Sequence, residues 1–138
     1  MCKKIILLLA FFFCYVSISA QTFSGGSGTS ADPYLLSNRN DITEFAGWVS
    51  SSFFWSLDKY FSVTTNIGTT SNPVATMIGE SNRRFRGTIY GNGNTITVNY
   101  VSNADEVAFI RFAADCKINK CYFISIRNII YSYSVSIP

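Results

Sequence analysis

Arg83, Arg84 and Arg86 surround Phe85 and form the densest cluster of charge in the chain. Guanidinium groups so grouped suit phosphate or an anionic glycan. On a strand, Arg84 and Arg86 share the outward face while Phe85 points in, so keeping a sheet edge soluble is the favoured role. Asp105 and Glu106, with Arg111 nearby, have the residue types of a calcium or sugar cluster. Adjacent strand residues point to opposite faces, so these acids do not converge as a catalytic pair must, and a solvated turn accounts for them. Trp48, Trp55 and the Phe53–Phe54 pair have the rings of a carbohydrate platform. Trp48 lies just off the buried stripe of its helix, and core or cap packing is the favoured use of all four. The amides of Asn92 and Asn94 are able to ligate a metal, but turn formation explains both.

The chain has no histidine, which removes the usual serine and cysteine hydrolase triads. With so few cysteines it also argues against zinc. Gly25–Gly28 is no phosphate loop, since no Lys-Ser/Thr follows and no helix opens directly behind it. The expectation is a non-enzymatic protein with no cofactor and no metal.

These side chains are carried on a short exported chain. Lys3 and Lys4 form a basic n-region, Ile5 to Val16 an apolar core, and Ser17 to Ala20 a run ending on a small residue. That is the pattern of a secretory signal peptide cleaved between Ala20 and Gln21. The apolar core falls short of the roughly 20 residues that span a bilayer, so no membrane span is expected after its removal. Of 138 residues, 11 are basic and 8 acidic, a formal net charge of +3. Loss of the signal leaves 9 basic residues and a net charge of +1, which gives no reason to expect nucleic acid as a partner. Cys116 and Cys121 then remain. On one strand their Cα atoms would stand about 16 Å apart, too far for a disulfide. Both are read as small apolar core residues, although a tight turn at 117–120 would still allow pairing.

Along the chain, residues 1–20 are the signal peptide, 21–31 a Gly/Ser linker, 32–123 the body, and 124–138 a terminal strand. Asp32 to Leu36 is a short extended segment. Ser37 and Asn40 are both plausible N-caps, and Ile42, Phe45, Ala46 and Val49 follow at the spacing of one buried helical face. This predicts a helix from Asn38 or Asp41 to about Ser50. Lys59–Ile67 reads as a strand with Phe61 and Val63 inward. Arg84–Val98 is the most informative stretch: a strand, a corner, and a second strand with Ile96, Val98 and Tyr100 on one face. Gly87, Gly91, Asn92, Gly93 and Asn94 supply turn residues, several able to take positive φ. Tyr131, Tyr133, Val135 and Ile137 alternate with serines as a strong strand.

The residues also resemble a known pattern. Gly25-Gly26-Ser27-Gly28-Thr29 through Ala31-Asp32-Pro33-Tyr34-Leu35-Leu36 is similar to the "GGSGT-x-ADPYLI" start of bacterial secreted proteins carrying the GLUG motif. Phe85-Arg86-Gly87-Thr88-Ile89-Tyr90-Gly91-Asn92-Gly93-Asn94-Thr95-Ile96 resembles their "F-x-G-T-F-D-G-N-G-H-T-I". Val107–Ile110 stands in place of "GLFG", and Ile118–Phe123 resembles "I-x-N-C-Y-V". The likeness runs from about Phe23 to Phe123. It departs where Ala108 and Ile110 replace glycines, Tyr90 an aspartate, and Lys120 a corner asparagine. The resemblance implies an all-β fold, a short right-handed parallel β-helix (β-solenoid) with an N-terminal capping helix, on adhesin-like surface proteins. Such chains continue through further coils, so a truncated frame with an improvised terminal strand is expected. The implied role is exported, adhesin-like binding of an extracellular glycan or a host or matrix protein. Weak ligand-binding candidates are Arg83, Arg84, Arg86 and Trp48, and self-association is expected through the terminal strand. Two alternatives stay open: a carbohydrate-active β-helix enzyme or accessory fragment, and a non-functional product.

Overall fold

The computed structural model describes residues 23–52, 55–100, 108–125 and 130–136. The expected signal peptide, its Ala20–Gln21 cleavage site, Phe53–Phe54 and Asp105–Glu106 lie outside the described residues. Strand β1 (Tyr34–Leu36) leads into helix α1 (Arg39–Ser51), followed by β2 (Tyr60–Val63), β3 (Thr88–Tyr90), β4 (Thr95–Val98), β5 (Lys117–Ser125) and β6 (Ile130–Ser136).

The helix begins where two side chains satisfy its first amides. Asn38 is the N-cap, its Oδ1 accepting from the backbone N of Asn40 at 2.8 Å and of Asp41 at 3.1 Å. Asp41, three residues on, accepts in return from Asn38 N at 3.2 Å, completing a capping box. The acid at that spacing selects Asn38 over Ser37 and Asn40. The expected stripe of Ile42, Phe45, Ala46 and Val49 is buried. It packs on the sheet through Phe45, whose ring lies 4.3 Å from Phe61 and 5.3 Å from Phe85. Ser50, Ser51 and Ser52, poor helix formers, end it.

β1, β2, β3 and β5 pair in parallel, and their register aligns one inward ladder: Tyr34 opposite Phe61, Phe61 opposite Ile89, Ile89 opposite Ile118. Leu36 opposite Val63 extends it. All six of these residues are buried. The alternate ladder, Leu35, Ser62, Tyr90 and Asn119, takes the outer face. The first half of β5 borders β3 and its second half borders β4, giving the order β1-β2-β3-β5-β4, with β6 antiparallel on β5.

This corrects the expected fold. The described residues form an open, mainly parallel sheet with one helix, an α/β-type arrangement, and not an all-β right-handed β-helix. A solenoid stacks each repeat on its neighbours along its whole length. Here the segment between β2 and β3 touches its neighbours through single-residue bridges, Ile67 to Ile96, Val74 to Val98, Ile78 to Ile110 and Phe85 to Ala113, none of which grows into a strand. Pro73 and the positive φ of Gly68 (79°) and Gly79 (88°) interrupt any extended run there. β6 then reverses direction, so successive strands do not stack one way.

Residues 23–31, read from composition as part of a linker, are folded against the body. Phe23 is buried, 4.9 Å from the Tyr34 ring and 5.0 Å edge-on to Trp48. Ser27, Gly28 and Thr29 N all donate to Asp32 O, and Gly25 O accepts from Leu35 N. Ser24 anchors the segment through its N and Oγ, both donating to the Asp41 carboxylate at 3.1 and 2.7 Å.

Asp41→Ala should therefore cost about 3 kcal/mol in urea unfolding, because the backbone donors of Ser24, Ser37 and Asn38 lose their acceptor. Asp41→Asn, which keeps one acceptor oxygen, should cost about half of that. Equal midpoints for wild type and Asp41→Ala would sink the assignment.

Candidate functional site

The outer face of the parallel sheet is uncovered among the described residues, although parallel sheets ordinarily bury both faces. Strand alternation decides what it displays. Tyr60 and Ser62 of β2 point outward between buried Phe61 and Val63, and Thr88 and Tyr90 of β3 flank buried Ile89. The register sets Tyr60 opposite Thr88 and Ser62 opposite Tyr90 on one side, with Lys117 opposite Thr88 and Asn119 opposite Tyr90 on the other. The rings of Tyr60 and Tyr90, diagonal neighbours, stack at 6.2 Å with 21° between their planes. The face thus holds two near-parallel aromatic rings among hydroxyl, amide and ammonium groups. Beyond it Tyr122 and Ile124 also point outward, 43 % and 40 % exposed. Sequence reasoning passed over Tyr60 and Tyr90; the signal was a tyrosine on the polar phase of each alternating strand.

The corner after β3 bounds this face. Asn92 takes a φ of 55° and Gly93 one of 78°. Asn92 Nδ2 donates to Ser62 Oγ at 2.9 Å and to Val63 O at 3.0 Å, and Asn94 Nδ2 donates to the same carbonyl at 2.9 Å. Both amides are occupied in tying the corner to the end of β2. Gly91 is needed for a different reason: a Cβ there would lie 2.3 Å from Cys121 Cα, where β5 bulges between Ile118 and Cys121. Lys120 at that bulge adopts a φ of 47°, and its carbonyl accepts from Gly93 N at 2.9 Å. Gly87 lies just before β3, its carbonyl accepting from Lys117 N at 3.0 Å.

A second concave feature lies at the start of α1. It is an open cleft of about 470 Å³ between the α1 N-terminal turn and the loop after β2, lined by Ser37, Arg39, Asn40, Asn66, Thr69 and Asn72 among others. Its side chains are amides and hydroxyls beside Ile67, with the Arg39 guanidinium as the one charge. Arg39 donates to Asn72 Oδ1, and Asn66 Oδ1 accepts from Thr95 N at 2.8 Å.

The residues expected to bind ligand do not form one site. Phe85 is fully buried, as its phase predicted. Arg83 donates to Ser50 O at the end of the helix, Arg84 Nε donates to Ser81 O at 3.4 Å, and Arg86 pairs with Asp115 at 2.5 Å. The three arginines are thus engaged with three different parts of the surface. Trp48 packs edge-on to Phe23 and Tyr34, and its Nε1 donates to Glu44 at 2.9 Å. Trp55, 5.2 Å from Trp48, is 49 % exposed. Among the described residues no group of three His, Cys, Asp or Glu side chains is placed to hold a metal ion. Cys116 and Cys121 are both free and buried. Burial pushes both thiols up, Cys121 from 9.0 to about 12.

No family model and no solved structure matches the chain. It is 25 % identical over 111 residues to a protein of Evansella cellulosilytica named "Putative Gly-rich membrane protein". That match takes in 72 % of this chain but spans only 13 % of the relative. No helix among the described residues is long and apolar enough to cross a membrane.

Two outcomes test the corner. Gly91→Ala should cost about 3 kcal/mol, since its Cβ meets backbone, whereas Gly93→Ala, strained through φ alone, should cost about 1 kcal/mol. Chemical denaturation of the two variants decides; equal costs would remove the close approach to Cys121. For Cys121, the unfolded thiol ionises near 9.0 and the folded one near 12, so above the lower value the unfolded state binds fewer protons. Stability should be fully present below that value and fall as pH rises toward the upper one. Cys121→Ala should flatten this alkaline loss in urea midpoints taken across the range. An unchanged slope would exclude the thiol as its source.

Proposed function

We propose that this chain is an exported, non-enzymatic, adhesin-like binding protein, secreted or held at the cell surface, that lays an extracellular glycan across the outer face of its sheet. The observation that carries the reading is the stacked Tyr60–Tyr90 pair, set among Ser62, Thr88, Lys117 and Asn119. Sugar rings present apolar C–H faces edged with hydroxyls. Two near-parallel aromatic rings flanked by donors and acceptors match both halves of that chemistry. The tyrosines lose little entropy on binding, having few rotatable bonds and one stacked neighbour. The basic, apolar and small-residue runs at the amino terminus support export. The match to part of a protein named as a membrane protein agrees with a place in or near the cell envelope.

Affinity electrophoresis of the full chain in gels containing a panel of neutral polysaccharides tests this. At least one polysaccharide should retard the wild type, and Tyr60→Ala or Tyr90→Ala should abolish the retardation while leaving the melting temperature within a few degrees. If the variants migrate as the wild type does in every retarding gel, or no gel retards the chain, the reading fails.

A further inference from the structure

We infer that the cleft beside the start of α1 is a second binding site, and that it takes the carboxylate of an acidic sugar, a uronate residue, on the Arg39 guanidinium. The inference rests on the glycan-binding reading for its ligand class, yet it concerns a different set of residues.

Four features carry it. The open cleft offers about 470 Å³, a volume within the range of small-molecule sites. Most of its lining side chains are amides and hydroxyls, the groups that match sugar hydroxyls in both donor and acceptor sense, with Ile67 adding an apolar patch. Arg39 is the one charged lining residue, and among the described residues the ion pair recorded joins Arg86 to Asp115, not Arg39 to an acid. The buried Asp41 carboxylate does not serve as its partner, since Ser24, Ser37 and Asn38 occupy both oxygens. Finally, Arg39 is oriented but not consumed: one Nη donates to Asn72 Oδ1, and a guanidinium has five N–H donors in a planar fork. The remaining donors suit a bidentate carboxylate.

The helix end itself is not the binding element. Asn40 N and Asp41 N already donate to Asn38 Oδ1, and Ile42 N donates to Asn38 O. Recognition therefore falls to the side chains. Asn66 and Asn72 each have one amide oxygen occupied, by Thr95 N and by Arg39. Their NH2 groups are left as donors toward sugar hydroxyls.

The test is calorimetric titration of the full chain with trigalacturonate, and with the same trisaccharide after reduction of its carboxylates to primary alcohols. Wild type should bind the acidic form at least tenfold more tightly than the reduced form, and added salt should narrow that gap. Arg39→Gln should erase the preference, and Arg39→Lys, a point charge in place of a fork, should restore only part of it. Asn66→Asp keeps the acceptor for Thr95 N and sets a negative charge across the cleft. It should give the same loss and serves as the second variant if Arg39→Gln does not fold. Equal binding of acidic and reduced forms, or an acidic preference unchanged in Arg39→Gln and Asn66→Asp, overturns the inference. So does inorganic phosphate competing as strongly as the trisaccharide, which would reduce the cleft to a general anion site. Tyr60→Ala should leave the acidic preference intact. A preference lost in that variant but retained in Arg39→Gln would place acidic sugar on the sheet face and overturn the cleft assignment alone.

Discussion

One buried carboxylate gathers the amino-terminal half of this protein. Asp41 is 2 % exposed, and a carboxylate withdrawn from water must find donors in the protein or cost several kcal/mol. Its donors come from two pieces of chain: Ser24 before β1, and the adjacent Ser37 and Asn38 that join β1 to the helix. Each bond fixes something larger. The bonds from Ser24 seat Phe23 in the aromatic cluster; the Ser37 bond sets how β1 turns into α1; the Asn38 bonds choose the first helical residue. Because α1 then lies over Phe61 and Phe85, the covering of the inner sheet face follows from where Asp41 sits.

The carboxy-terminal half depends on a backbone contact instead. β5 has to serve two strands, β3 with its first residues and β4 with its last. A straight nine-residue strand would run past the corner that separates them. The bulge at Lys120, at a φ of 47°, lets β5 bend with that corner, and Gly91 lets the two backbones meet. Lysine has no local hydrogen-bonding compensation in that conformation, unlike asparagine. The strain is held by the carbonyl of Lys120, fixed on Gly93 N.

Local pattern was readable in the sequence wherever one residue's neighbours decide its state. The helical stripe, the inward Phe61 and Val63, and the strand, corner and strand from Thr88 to Val98 all depend on spacing within one element. The N-cap was misplaced because three polar residues compete for it and only the reach of Asp41 separates them. Composition misled at residues 23–31, where glycine and serine suggested a linker. The buried Phe23 and the carbonyl of Asp32, which collects three amides, are long-range facts. The sheet's failure to close was equally hidden. Whether single bridges such as Ile67 to Ile96 extend into strands depends on pairing between segments about thirty residues apart. The arginines near Phe85 offered the strongest chemical signal and the least site, since each is drawn to a different neighbour.

What the two proposed binding surfaces share is the lack, among the described residues, of a buried cluster of charge. On the sheet face, register does the placing: parallel pairing repeats one outward position per strand, so Tyr60 and Tyr90 come together only because β2 and β3 are aligned by their buried partners Phe61 and Ile89. In the cleft the same inner packing sets β1 and β2, and thereby the distance between the helix start and the loop bearing Asn66 and Asn72. The packed core therefore governs both surfaces, the preorganisation that the proposed binding requires. A shift of one residue in the pairing of β2 would bury Tyr60 and expose Phe61, dismantling the aromatic face without changing a single amino acid on it.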